Sequence, residues 1–278
     1  RRVVVVGGGP AGLEAAATAA GAGHEVILLE RGPETGGQVA VAASVPTRAE
    51  FLDVVRNSLA ECRRLGVDLR TGVDADAERV RRLRPDAVVL ATGARPEPPH
   101  WADGLERVVD VRDVLEGRAA PTGAVVVLDD LGFHQATSVA ELLADRGCSV
   151  RISTSGMVVG QDLGITLDME NFRVRAADKG ITSTTDEVVL GADRAADPGG
   201  DGDRDGGVVL HVLTHTTGEM TDVSCDWVVC ATHQAPEDAL WRELSGTEEF
   251  EVHRVGDCVT PRRAHAAVVE GHRVGVAL

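Results

Sequence analysis

Short continuous runs of β-branched and aliphatic residues punctuate the chain, each ending in a glycine-rich or polar turn. Val3-Val4-Val5-Val6 is the first, and its lack of alternation predicts a parallel strand covered on both faces. It stops at Gly7-Gly8-Gly9-Pro10-Ala11-Gly12, after which an alanine-rich pattern predicts a helix reaching about Ala22. Glu25 to Leu29 reads as a second strand and ends at Glu30. Arg48 to Leu65 carries helical spacing ahead of a strand from Val67 to Arg70, and Thr71-Gly72-Val73 then opens an acidic crossover. Asp86 to Leu90 is the next buried strand and closes on Ala91-Thr92-Gly93. Further strands are expected near 124–128, 149–153, 186–190, 208–213 and 225–231, with a helix at 135–146. Val252 to Val255 leads into Gly256-Asp257, and a last helix is expected from about Arg263 to Val276. Strands alternating with helices in this way predict an α/β protein with parallel sheets.

At 278 residues the chain is long for one domain. The element order predicts an outer domain formed by both termini, 1–118 plus 248–278, with an inserted α/β domain at 119–247. Hydrophobic residues make up 43% and charged residues 26%, the balance of a globular protein. No run approaches the roughly 18 apolar residues of a membrane span, and no signal-peptide pattern is present. Lys+Arg 28 against Asp+Glu 44 gives a net charge of −16, which repels phosphate backbones and argues against nucleic-acid binding. Five cysteines without framework spacing predict a reducing, cytoplasmic setting. Tyrosine is absent, so no proton donor of that kind comes from this chain. Arg1-Arg2 directly ahead of a strand reads as a piece of something longer.

The chemistry concentrates in the first forty residues. A lone G-x-G-x-x-G is a weak signal, but here Gly7, Gly9 and Gly12 are followed by Ala16 and Gly23, then by a strand and an acid. Gly7 permits the tight turn, and Gly9 lets the backbone approach a pyrophosphate. Gly12 and Ala16 let the helix lie close to the sheet. The helix head at Pro10 and Ala11 presents free N–H groups and a positive dipole end to phosphates. Glu30 can accept hydrogen bonds from an adenosine ribose, and an acid there disfavours a 2′-phosphate. Arg31 beside it joins the candidate set. This first site therefore suits FAD, ADP or NAD better than NADP. The small residues of Ala91-Thr92-Gly93 let the chain pass close to a dinucleotide, and Gly256-Asp257 sets a carboxylate ahead of the last helix.

Together these motifs resemble the FAD/NAD(P)-linked flavoprotein fold of the glutathione-reductase type, with two dinucleotide-binding domains. Gly36-Gly37-Gln38, Leu240-Trp241-Arg242-Glu243-Leu244 and Gly256-Asp257 through Gly271-His272-Arg273-Val274 carry a closer resemblance. They are similar to the C-terminal half of the 2,4-dienoyl-CoA reductase / trimethylamine dehydrogenase / histamine dehydrogenase family, over essentially the whole chain. The resemblance implies that Gly37 and Gln38 run beside the cofactor's diphosphate and ribityl chain. It also implies that the backbone near Val73 faces the adenine, and that Gly256 and Asp257 lie at the ribityl chain and phosphate.

Members of this fold repeat the strand–glycine–helix unit where NAD(P)H binds. Here the matching segment is Ala124 to Leu128, then Asp129-Asp130-Leu131-Gly132-Phe133-His134-Gln135-Ala136. Counted from the strand, the glycine positions fall on Asp129, Leu131 and His134; counted back from Gly147 they fall on Leu131, Phe133 and Ala136. Neither register supplies the glycines, and Asp129-Asp130 would repel a pyrophosphate. The second Rossmann-like domain is thus expected to be degenerate and NAD(P)H binding doubtful, with Arg151 a solvated strand-end arginine. This loss resembles the amine dehydrogenase branch, whose C-terminal half holds ADP where relatives hold FAD. That branch oxidises its substrate at FMN, with a four-iron cluster, in an N-terminal (β/α)8 barrel. The sequence contains neither that barrel nor cysteines spaced for a cluster.

The resemblance implies an FAD-dependent oxidoreductase module exchanging electrons with an FMN-containing (β/α)8 domain or subunit. An electron-transfer protein is a further implied partner, and relatives oligomerise. The alternative is a non-redox module holding ADP for structure or docking. Other candidates carry little. Cys225 and Cys230 are not a Cys-x-x-Cys pair and read as buried packing, as does Cys258. Asp201 to Gly206 begins like a calcium loop, but its twelfth position is Val212, and the stretch from Gly191 to Gly207 reads as an exposed hairpin insertion. His211 and His215 lie about 13 Å apart on a strand, too far to share a metal. His265 and His272 are expected to face solvent.

Overall fold

The computed structural model describes residues 1–195 and 206–278. In β1 (Arg2–Val6), four consecutive valines leave no polar side chain to turn toward water. Strand alternation divides them between two cores. Val3 and Val5 pack with Leu13, Ala16 and Val55 on one face, while Val4 and Val6 pack with Val80, Val88 and Leu244 on the other. After β1 come α1 (Pro10–Gly21), β2 (Glu25–Leu29) and α2 (Gly37–Ala42), so a helix begins where the sequence showed only a glycine turn. The single helix expected from Arg48 to Leu65 is divided. A 3-10 segment, Pro46–Phe51, precedes α3 (Leu52–Arg64), and Arg48 leaves helical geometry at φ −131°, ψ 15°. After β3 (Asp68–Arg70), the acidic crossover contains α4 (Ala77–Arg82), whose first turn is capped by Asp76 accepting from Arg79 N at 2.7 Å. Then come β4 (Ala87–Leu90) and β5 (Ala94–Pro96).

The chain next builds β6 (Val108–Asp110), α5 (Val111–Leu115), β7 (Ala124–Asp129), α6 (His134–Asp145), β8 (Ser149–Ser153) and α7 (Met169–Asp178). It continues through β9 (Thr182–Thr184), β10 (Glu187–Arg194), β11 (Val208–Thr214), β12 (Glu219–Cys225) and β13 (Trp227–Ala231). It returns through β14 (Gln234–Pro236), which pairs with β5, to α8 (Ala239–Leu244), β15 (Glu251–Arg254) and α9 (Ala264–Ala277).

Two compact units result, Arg1–Arg95 with Gln234–Leu278, and Pro96–His233. The boundaries expected at 118 and 248 therefore move upstream. β6 pairs with β13, which draws the segment after residue 95 into the second unit, and α8 packs beside β15 in the first. The first unit holds a parallel sheet in the order β15-β4-β1-β2-β3. The second holds a parallel sheet ordered β6-β13-β7-β8-β9 and a separate antiparallel sheet β10-β11-β12. The five strands expected here are thus shared between two sheets. One face of β7, Val125 and Val127, packs with Val139 and Leu143 of α6. The other, Val126 and Leu128, packs with Val208, Leu210 and Val212 of β11, so strands cover a face that helices cover in the first unit. Among the described residues no helix is long and apolar enough to cross a membrane.

β10 and β11 form the expected hairpin, while Asp201 to Asp205 of the calcium-like pattern lie outside the described residues. On the outward side of this sheet His211 bridges all three strands. Its Nδ1 lies 2.8 Å from Asp222 Oδ1 and its Nε2 lies 2.9 Å from Asp193 Oδ2. Donating from both ring nitrogens requires the imidazolium. The hydrogen bond to Asp222, then that to Asp193, raises the His211 pKa. A group with a raised folded pKa stabilises fully below its unfolded value, about 6.5, and that contribution is lost as pH climbs through the folded value. His211→Gln should therefore lower the urea midpoint at pH 6 and change it little at pH 9. An equal effect at both pH values would contradict the charged clasp.

Candidate nucleotide-binding site

Two glycines of the turn between β1 and α1, Gly7 and Gly12, leave no room for anything larger. Gly7 has φ +108°, and a Cβ there would stand 2.2 Å from the Ala91 carbonyl oxygen. A Cβ on Gly12 would stand 1.9 Å from the Gly7 carbonyl oxygen, so helix and strand meet at backbone distance. Gly9 differs: nothing lies within 4 Å of an added Cβ, and its φ of −76° would suit any residue. Open space therefore faces Gly9 at the head of α1. Pro10 fills the first helical position and lacks an N–H. Leu13 N is the first amide to reach a helical acceptor, Gly9 O at 2.9 Å, so the Ala11 and Gly12 amides precede the ladder and remain available to an anion.

Glu30 leaves the end of β2 toward this turn. Its Oε2 accepts from Gly8 N at 2.6 Å and its Oε1 accepts from Gly32 N at 2.6 Å. Each carboxylate oxygen keeps a second lone pair for a hydroxyl donor. Val73 N donates to Glu30 O at 2.9 Å, which brings the expected adenine-side backbone against the acid. Arg31 is exposed. Gly36 (φ +131°) donates its N–H to Gly8 O at 2.8 Å, and a Cβ on Gly37 would lie 3.3 Å from Gly9 Cα. The start of α2 thus rests on the glycine turn.

Gly256 and Asp257 approach from the far end of the chain. Gly256 has φ +73°, and a Cβ there would lie 2.9 Å from Ala11 Cβ. Asp257 Oδ2 accepts from Gln38 Nε2 at 3.4 Å, while Oδ1 accepts from Arg262 N at 3.0 Å. Gly9, Ala11, Gly37, Gln38, Gly256 and Asp257 are therefore brought together, with Glu30 and Val73 at the Gly8 side. Ala91 joins through its carbonyl. Thr92 and Gly93 face elsewhere: Thr92 Oγ1 donates to Glu237 O at 2.5 Å, and Gly93 O accepts from Glu237 N at 2.9 Å. These bonds secure the returning chain. Sequence reasoning missed Gly8, whose amide binds Glu30, and Glu270, whose Oε2 accepts from Gly256 N at 2.8 Å. Gly271, on the next position of α9, would place a Cβ 2.3 Å from Ala11 O, and its place in the last-helix motif was the available signal.

The corresponding turn of the second unit is closed from within. Asp129, at the end of β7, is only 1% exposed. Its Oδ1 accepts from Gly132 N at 2.8 Å and its Oδ2 from Gly160 N at 2.7 Å. Burial raises its carboxyl pKa, and the two amides pull against that. The loop amides that an anion would use are thus already bonded to a side chain. His134, expected at a glycine position, is buried beside Phe133. Arg151 is not simply solvated; its Nη2 donates to Glu187 Oε1 at 2.6 Å and its Nε to Thr184 Oγ1 at 3.2 Å. His272 is exposed yet pairs across to α1, with Nδ1 3.1 Å from Glu14 Oε1. Cys225 ends β12 while Cys230 lies within β13, and burial pushes both thiols up, Cys225 to about 11. Cys258 is buried, its Sγ 3.1 Å from Leu90 O.

Comparison with known proteins agrees with this architecture. Residues 1–271 match the family described as pyridine nucleotide-disulphide oxidoreductase. The chain is 33% identical over 311 residues to N,N-dimethylglycine/sarcosine dehydrogenase of Chromohalobacter salexigens, covering 99% of this chain and 43% of that protein. A 2-naphthoyl-CoA reductase structure superposes with a TM-score of 0.85 at 28% identity, covering 99% of this chain and 39% of that one. Histamine dehydrogenase from Rhizobium sp. 4-9 shares the fold, with a TM-score of 0.89 at 24% identity over 100% of this chain and 44% of that one. The chain spans less than half the length of the curated relative it matches. With the glycine turn, the acid and the closing Gly-Asp arranged on a parallel sheet, the chain belongs to the pyridine nucleotide-disulphide oxidoreductase family.

Proposed function

We propose that the chain is the FAD-binding module of a flavoprotein oxidoreductase of the amine dehydrogenase or enoate reductase type. The observation that carries this reading is the open face at Gly9, framed by first-turn amides and by Glu30. Those residues fit an adenosine diphosphate group. The Ala11 and Gly12 amides would hold the diphosphate, and Glu30 would accept from the ribose hydroxyls with the lone pairs its backbone bonds leave over. Gly37, Gln38, Gly256 and Asp257 would flank the remainder of the cofactor, Val73 would adjoin the adenine, and Ala91, Thr92 and Gly93 would fix the strand end behind the turn. Bound FAD would supply a redox centre able to accept and return electrons. The chain's own contribution is to bind and orient that group.

The electron partner in this reading is an FMN-containing (β/α)8 domain or subunit with a 4Fe-4S cluster. The sarcosine dehydrogenase relative, of which this chain covers 43%, supports a further domain. The substrate-oxidising site lies there, and pyridine nucleotide does not enter through the second unit. A specific observation also favours a second reading, in which the nucleotide is ADP and the module is structural. The amides of Gly132 and Gly160 are taken by Asp129, which leaves no evident route for NAD(P)H.

Denaturing the purified protein and analysing the released nucleotide separates the two. A yellow supernatant containing FAD is expected, colourless ADP would favour the second reading, and release of neither would overturn both. NADH and NADPH at micromolar concentration should leave the bound nucleotide unchanged in the spectrum.

A further inference from the structure

We infer that Glu270, on α9, is a positioning residue that sets the Gly256–Asp257 turn and so favours a full dinucleotide over a mononucleotide. This deepens the proposed function and rests on it. The turn has a backbone that cannot relax freely. Gly256 is in the left-handed region at φ +73°, packed so tightly on Ala11 that an added Cβ would stand 2.9 Å from that side chain. What holds it there is a closed ring of bonds. Gly256 N donates to Glu270 Oε2 at 2.8 Å, Glu270 Oε1 accepts from Arg262 Nη2, and Arg262 N donates to Asp257 Oδ1 at 3.0 Å. The other Asp257 oxygen accepts from Gln38, which belongs to α2.

Glu270 is fixed on its own side as well. The neighbouring Gly271 lies so close to α1 that a Cβ would stand 2.3 Å from Ala11 O, so α9 and the head of α1 form one closely packed body. A carboxylate anchored on that body therefore relays the position of α1 to Asp257. The two ends of the glycine turn have separate tasks. Glu30 binds at Gly8 and serves the adenosine end. Gly256 packs at Ala11, where whatever extends beyond the diphosphate must pass Asp257 and Gln38. A charged acceptor to a backbone amide is among the stronger hydrogen bonds, and its loss should be felt at one end only.

The test measures FAD and ADP affinities of nucleotide-depleted protein by calorimetry, for wild type, Glu270→Ala and Glu270→Gln. Glu270→Ala should weaken FAD on the order of tenfold and leave ADP near the wild-type value. Glu270→Gln retains an oxygen for Gly256 N and should restore most of the FAD affinity. Arg262→Met should shift the FAD-to-ADP ratio in the same direction by less, which keeps the test open should Glu270→Ala fold poorly. Equal loss of both nucleotides, no loss of either, or a Glu270→Gln protein as weak as Glu270→Ala would overturn the inference while leaving the nucleotide site intact. A wild-type chain that binds neither would overturn the underlying reading instead, and this inference with it.

Discussion

Replacing Gly12 with alanine should cost the protein both stability and nucleotide, whereas replacing Gly9 should cost it nucleotide alone. A methyl on Gly12 would sit 1.9 Å from the Gly7 carbonyl and 3.2 Å from Ala91 Cβ, so α1 must lift from the sheet. Overpacking of this kind typically costs about 1–3 kcal/mol, and here the obstacle is backbone rather than a side chain that could turn away. Helix α1 also carries Leu13, Ala15, Ala16 and Ala19 into the core with Val3 and Val5, so the displacement is transmitted to β1. Gly9 has open space and an ordinary φ of −76°, so its alanine variant should unfold within about 0.5 kcal/mol of wild type. Its new methyl, however, stands where the diphosphate would come closest. Loss of charge-assisted contacts there should weaken ADP by roughly tenfold to a hundredfold. Urea midpoints and calorimetric affinities for the two variants check the split. A Gly9→Ala protein that binds ADP as tightly as wild type would contradict the cradle.

The first forty residues were legible because local rules decide them: unbroken valines, a glycine turn, a helix head and an acid lie within one strand–helix–strand unit. Elements fixed by distant partners were not. β6 belongs to the second unit only because β13 pairs with it, more than a hundred residues later, and no local pattern around Val108 announces this. The β10-β11 hairpin was legible, but the third strand of its sheet was not, because the polar, largely exposed run Glu219–Cys225 carries no apolar pattern to announce β12. The Glu270–Gly256 bond escaped notice because it ties a turn to a residue well along the following helix, and no local pattern pairs the two. At Asp129 the sequence pointed to the charge but not to the hydrogen bonds. Repulsion of a phosphate was expected, whereas the carboxylate takes the place an anion would have among the loop amides.

That substitution of a side chain for a ligand gives Asp129→Ala a large expected effect on the second unit. Asp129 is 1% exposed and bonds Gly132 N on one side and Gly160 N on the other, while its own carbonyl accepts from Thr154 Oγ1 at 2.7 Å. Removing the carboxylate leaves two amides without that acceptor. Gly160 is buried, whereas Gly132 is partly exposed and can turn to water. An orphaned buried donor costs about 1–3 kcal/mol, and a weaker penalty at Gly132 brings the expected total to roughly 2–4 kcal/mol. The loss should appear as a lowered urea midpoint followed by tryptophan fluorescence, since Trp227 packs against the core that β7 shares with α6. FAD or ADP content should stay at the wild-type level, because none of these bonds involves the Gly7–Gly12 turn. Nor should the variant gain NADPH binding, because Leu131 and Phe133 still stand at positions where a pyrophosphate-binding loop needs glycine. A stability change under about 1 kcal/mol would mean that water replaces the carboxylate without penalty. Micromolar NADPH binding by Asp129→Ala would mean that the acid alone had closed a site otherwise intact.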